Sequence, residues 1–136
     1  MLVKMLYRDV LEYTTKPNGR HDITKDVQQI IKRYEISDGL CNIFVKGTTA
    51  GLMINEDDRM LMADVEKLLS QLAPEDKLYQ RPANAHSHLR SIMLSSNLSV
   101  PIAAGKLLLG RWQSILLWEF DVEERKRMIV VTVVGG

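Results

Sequence analysis

A chain of 136 residues, 46% hydrophobic and 26% charged, has material for one domain with a real core, residues 1–136, and too little for two. Its net charge of +1 excludes a bulk electrostatic pull toward nucleic acid or an anionic membrane, and neither is expected as a partner. Cys41 stands alone and cannot close an internal disulfide, no apolar run approaches the roughly 20 residues of a membrane span, and the first residues lack the order of a signal peptide, so a cytoplasmic protein is expected.

Residues 1–15 mix apolar and polar side chains in rough alternation (Leu2, Met5, Tyr7, Val10, Leu11, Tyr13) and predict one or two strands. Lys16-Pro17-Asn18-Gly19 is a turn, because proline fixes φ and Asn-Gly tolerates positive φ. A short strand over 20–23 follows. Thr24 then has the chemistry of a helix N-cap, with Val27, Ile30 and Ile31 at helical spacing and Asp26 at the positive end of the dipole. That helix is expected to stop before Ser37-Asp38-Gly39. Residues 40–45 read as a buried strand and 52–54 as a second, joined by Lys46-Gly47-Thr48-Thr49-Ala50-Gly51.

Asp57 or Asp58 begins a long amphipathic helix whose apolar stripe is Met60, Leu61, Val65, Leu68, Leu69 and Leu72, and Pro74 closes it. Residues 75–83 are polar, carry Pro82 and form a loop long enough to point to function. A short helix over 88–94, capped by Asn84 or Ser87, leads to four strands over 98–102, 106–109, 112–120 and 128–134. Ala104-Gly105 is a tight turn, and Glu123-Glu124-Arg125-Lys126 is a solvated hairpin connection. The last strand is β-branched almost throughout and must be buried on both faces or packed against another subunit. About eight strands and two or three helices, without a βαβα rhythm, predict an α+β fold: an antiparallel or mixed β-sandwich with the helices packed outside.

The chemistry gathers in a few stretches. Two of the three histidines lie in Asn84-Ala85-His86-Ser87-His88. Residues two apart share a face on a strand but diverge by roughly 200° on a helix. His86 and His88 therefore hold one ligand only if the chain is extended there; if a helix starts at His86, one of them faces the site. An imidazole pair with Glu56 makes a His-His-Glu set for zinc or a similar divalent ion. Two other readings stand beside it: a single histidine acting as general acid/base or phosphate donor, or histidines that only serve the surface or core.

In Gly47-Thr48-Thr49-Ala50, small residues let backbone N–H groups approach an anion and two hydroxyls add donors, although the same composition also makes a plain turn. Glu56 sits where strand gives way to helix, either as a carboxylate favoured by the helix dipole or as a side chain reaching into a cleft. On the expected strand, Arg111 and Gln113 share the face opposite Trp112. Arg111 offers a bidentate donor for phosphate or carboxylate, and Gln113 gives and takes hydrogen bonds. The alternative pairs Arg111 with a carboxylate such as Glu119 and leaves Trp112 in the core. His21 reads as an exposed hairpin residue and Cys41 as inert packing.

Gly47-Thr48-Thr49-Ala50, Asn55-Glu56, Asn84-Ala85-His86-Ser87-His88, Val100-Pro101-Ile102, Gly105-Lys106-Leu107-Leu108-Leu109-Gly110-Arg111-Trp112-Gln113, an Arg-rich turn and a Val-rich last strand ending in Gly135 occur in this order. From about Thr24 to the end the chain resembles the YjbQ family, also called secondary thiamine-phosphate synthases, most specifically in its Leu-Gly-x-Trp-Gln block. Many members carry a histidine where this chain has Gly47, so it is similar to the branch with glycine there and a second histidine at the position of His86. Members usually have Thr or Ser where it has Arg111.

The resemblance implies a jelly-roll-like sandwich assembled as a homotrimer. It also implies a weak transferase activity that makes thiamine phosphate from a pyrimidine pyrophosphate and a thiazole phosphate. By position His88 matches the family's most regular histidine, and Glu56, Thr48, Thr49, Trp112 and Gln113 match its motifs. The resulting assignment is His88, Glu56 and Gln113 as catalytic. Gly47, Thr48, Thr49, Arg111 and Trp112 are assigned to a phosphorylated small molecule, and His86, His88 and Glu56 to a divalent metal, zinc or magnesium. The alternative is a non-catalytic trimeric scaffold with a structural metal or anion at the histidines.

Overall fold

Eight strands and three helices follow one another in the order the patterning predicts. In the computed structural model, which describes residues 5–76 and 78–136, they are β1 (Met5–Thr15), β2 (Arg20–Asp22), α1 (Thr24–Arg33), β3 (Gly39–Lys46), β4 (Ala50–Asn55), α2 (Arg59–Leu72), α3 (Ala85–Met93), β5 (Asn97–Ala103), β6 (Lys106–Leu107), β7 (Ser114–Glu119) and β8 (Arg125–Gly135). The first strand is single; the part of its expected range over 1–4 lies outside the described residues. The pairings are antiparallel and form a five-stranded sheet, β1-β8-β3-β5-β6, and a three-stranded one, β2-β7-β4. The α+β class is the one expected.

Alternation decides which side of each strand is buried. Cys41, Ile43 and Val45 of β3 and Ile129, Val131 and Val133 of β8 face inward from the large sheet. Ile115 and Leu117 of β7 and Leu52 of β4 meet them from the small one, and Val27, Ile30 and Ile31 close the core from α1, the stripe the spacing predicts. The other phase of β7, Leu116 and Trp118, joins Phe120 beneath Met62 and Leu69 of α2 in a second cluster. The strand buried on both faces is therefore β7, the centre of its sheet, and not β8. The outward residues of β8 line up instead with those of its neighbours: Leu6, Val134 and Leu40 form one exposed apolar row across three strands, and exposed Val10 and Phe44 flank half-buried Val130 in a second.

Three local expectations change. Thr24 is the first residue of α1 rather than its cap; its hydroxyl donates to Asp22 at 2.6 Å and accepts the Ile115 N–H at 2.8 Å, tying the helix to β7. The α2 stripe is narrower than predicted. Asp58 caps the helix through the Leu61 N–H, but Met60, Leu68 and Leu72 point to solvent while Met62 is buried. Residues 111–113 form a turn before β7, not a strand, because Gln113 folds back on Gly110: its Oε1 accepts the Gly110 N–H at 2.7 Å and its own N–H donates to the Gly110 carbonyl at 3.0 Å.

At the far end, Gly39 and Gly135 are register partners, and Gly135 has φ 154°; a Cβ there would collide with the Asp38 carbonyl. Cys41 is fully buried, and burial pushes its thiol up to about 12. Leu117→Ala should cost about 2–5 kcal/mol in denaturant unfolding. Leu68→Ala, at a position 53% exposed despite its place in the apolar pattern, should stay within about 0.5 kcal/mol.

Candidate functional site

Two charged residues occupy inward phases of otherwise apolar strands. Glu119 continues the Ile115-Leu117 side of β7, and Arg127 opens the Ile129-Val131-Val133 side of β8. They meet: Arg127 Nε donates to Glu119 Oε1 at 2.7 Å and Nη2 to Oε2 at 2.6 Å, a planar two-bond pair with Glu119 wholly buried. Thr15 donates to Glu119 Oε1 at 2.5 Å, and the Asp121 N–H donates to Oε2 at 2.9 Å. Arg127 Nη2 also donates to Thr49 Oγ1 at 2.7 Å, and that hydroxyl donates in turn to Asp121 Oδ2 at 3.1 Å. Desolvated charges are tolerated only when satisfied in this way. The Arg125 end of the hairpin is therefore not merely solvated; Arg125 Nε donates to Asp121 at 2.8 Å.

An open groove of about 430 Å³ lies over this network. Gly47, Thr48 and Thr49 line it from the β3–β4 link, and Asn84 and His88 from the start of α3. Arg81, Arg125, Lys126 and Arg127 bring four cations, with Asp121 as the carboxylate. Gly47 is required by its backbone, φ 140°, and by space: a Cβ would lie 2.5 Å from Arg127 Nη1. That Nη1 makes no hydrogen bond among the described residues, although the Arg127 side chain is only 8% exposed. Asn84 Oδ1 is likewise buried without a partner at the groove's edge. Beyond Thr48 and His88 the groove continues into a less polar hollow walled by Ile92 and Leu94, with Ser91 and Ser96.

Burial would raise the Asp121 carboxyl. Hydrogen bonds from Arg125, the Val122 N–H and Thr49, with the Arg125 charge, outweigh it and hold the group below the ordinary 3.8; the same contacts raise Arg125.

The structure brings together Gly47, Thr48, Thr49 and His88, and distributes the other expected residues elsewhere. Because 85–93 is helical, His86 and His88 diverge; His86 is buried, with Nε2 3.8 Å from Glu75. Glu56, Arg111 and Trp112 line a separate acidic hollow with Asp22, Asp57 and Asp58. Arg111 lies over the Trp112 ring, 4.9 Å from its centre, and Trp112 is 63% exposed. The core role for Trp112 and the pairing of Arg111 with Glu119 are thus both corrected; Glu119 belongs to Arg127. The Gln113 amide is engaged in its own turn. Among the described residues of one chain, no three His, Cys, Asp or Glu side chains come together to hold a metal ion, so the set His86, His88 and Glu56 does not fit one within a single copy. Arg81, Arg127 and Asp121 were not singled out from the sequence. A charge on the inward phase of an apolar strand was the signal for Arg127.

Glu119→Gln should cost about 3 kcal/mol or more in unfolding, because it leaves a buried guanidinium without its counter-charge. The stability that Asp121 supplies is complete above its unfolded value near 3.8 and is lost as pH falls through the lower folded one. Asp121→Asn should therefore flatten the acid limb of the stability–pH curve measured by thermal unfolding.

A family model described as UPF0047 protein YjbQ-like matches residues 9–136. A UPF0047 protein of Archaeoglobus fulgidus is 37% identical over 123 residues, covering 88% of this chain and 98% of that one. The UPF0047 protein YjbQ of Escherichia coli O157:H7 is 28% identical over 137 residues, with 96% and 99% covered. Among solved structures, a YbjQ-like protein of unknown function from Sulfolobus solfataricus superposes with a TM-score of 0.93 at 32% identity, covering 98% of this chain and 100% of that one. An uncharacterized protein of the yjbq/upf0047 family from Clostridium acetobutylicum gives 0.83 at 33% identity, with 90% and 98% covered.

Proposed function

The chain belongs to the YjbQ-like UPF0047 family, and from that premise we propose that its groove binds a phosphorylated small molecule and supports thiamine-phosphate-synthase-like transfer. The observation that carries this reading is Arg127. Its guanidinium is fixed on two edges by Glu119 and Thr49 and keeps Nη1 free at Gly47. A donor held in place before the ligand arrives needs no reorganisation. Thr48, Arg81 and Lys126 surround it with further donors. The less polar hollow past His88 suits the organic part of such a ligand.

In the transfer, the thiazole nitrogen forms a bond to the pyrimidine's methylene carbon as the bond from that carbon to pyrophosphate oxygen breaks. The pyrophosphate leaves with the electron pair. That departure calls for positive charge around the leaving group, which the arginines supply. His88 lines both hollows, which supports giving it the hydrogen bond to the leaving oxygen in this reading.

The homotrimer is part of the same proposal. The exposed row Leu6-Val134-Leu40 and the partly exposed row Val10-Val130-Phe44 are apolar surface of the kind that assembly covers. A second copy is also the route by which Glu56, Arg111 and Gln113 approach His88.

Inorganic pyrophosphate should bind the intact protein by calorimetry, with affinity falling as salt rises. Arg127→Lys and His88→Ala should each weaken it about tenfold, the size of one charge-assisted contact. Binding unaffected by either change would remove the groove from the reading. Sedimentation should show a trimer that Phe44→Glu converts to monomer; a wild-type monomer would remove the assembly.

A further inference from the structure

Behind the small sheet lies a second hollow, apart from the groove and of about 120 Å³. Trp118 and Phe120, stacked with ring centres 6.0 Å apart, and Leu69 form its apolar wall. Glu66, Glu75 and Arg90 are its charged groups. Arg90 is 6% exposed; its Nε donates to the Ala73 carbonyl at 3.0 Å, yet the guanidinium makes no ion pair among the described residues. A buried guanidinium without a counter-charge is unfavourable. The neighbouring carboxylates do not supply one, and Glu75 leans toward His86 instead.

The charge arrangement selects among ligands. A simple anion is drawn to Arg90 and repelled by the two glutamates, and a simple cation meets the reverse. A molecule with a carboxylate at one end and an ammonium at the other satisfies both. At roughly 30 Å³ per water, the volume equals about four waters, enough for a very small organic molecule and far too little for a nucleotide.

We propose that this hollow is a binding site for a small zwitterionic α-amino acid of glycine-to-serine size, its carboxylate on the Arg90 guanidinium and its ammonium facing Glu66. The short side chain lies against Trp118 and Phe120. The site does not depend on the groove reading.

The test titrates the intact protein with glycine, L-alanine, acetate and methylamine, followed by calorimetry and by the NMR signal of the Trp118 indole N–H. Glycine or alanine should bind saturably, and acetate and methylamine about tenfold more weakly or worse. Glu66→Gln, at an exposed helix position that leaves the fold intact, should bring alanine down to the level of acetate. Arg90→Lys should weaken alanine and acetate together. His88→Ala should change none of these, which separates this site from the groove. Absence of saturable amino-acid binding, acetate binding as tightly as alanine, or a Glu66→Gln protein that binds alanine normally would each overturn the proposal.

Discussion

A charge kept in the interior ties this molecule together. Arg127 and Glu119 sit where apolar residues belong, on adjoining ends of β7 and β8, and the Glu119 carboxylate with Nε and Nη2 of Arg127 must find partners for their desolvated atoms. Meeting that demand draws in Thr15 from the end of β1, Thr49 from the link into β4 and the backbone of the β7–β8 hairpin. Three stretches far apart in sequence, at Thr15, at Thr49 and over 119–127, are fixed to one another at one corner. Because Glu119 occupies one edge of the guanidinium and Thr49 shares a second donor, the third is left facing Gly47. The demands of folding thus hold one strong donor rigidly at the floor of the groove.

The near-neutral net charge conceals this corner. Acidic side chains collect around the start of α2, where Asp22, Glu56, Asp57 and Asp58 share one hollow, while Arg81, Arg125, Lys126 and Arg127 share another. What a small anion meets is set by the nearest few charges, because salt screens the rest beyond about 8–10 Å. A total of +1 is thus compatible with a groove that is locally cationic.

Much of the fold was legible because burial follows period. The α1 stripe was read correctly from spacing, whereas β8, expected to be buried on both faces or packed against another subunit, alternates between an inward and an outward side within the chain. Legibility failed where one side chain overrode the pattern. Gln113 bonding to Gly110 turned the first residues of the strand expected over 112–120 into a turn and put Trp112 in solvent, and a contact three residues long leaves no periodic trace. Of the site, the Gly47-Thr48-Thr49 link and His88 were found by composition. Arg127 fell between the run 123–126, read as a solvated connection, and the strand expected from 128, although the phase of Ile129, Val131 and Val133 after it points inward. Glu56 and Gln113 do not join His88 within the chain: Glu56 lines the acidic hollow, and Gln113 is held by Gly110.

The position of Cys41 has a practical consequence. Its sulfur lies at the centre of the large sheet's inner face with the thiol held protonated, so alkylating reagents that need an accessible thiolate pass it by. Toward such reagents the folded chain behaves as if it had no cysteine. A single one engineered on the groove's rim, at Ser96 for instance, becomes the sole point of attachment for a fluorophore or spin label without any background mutation.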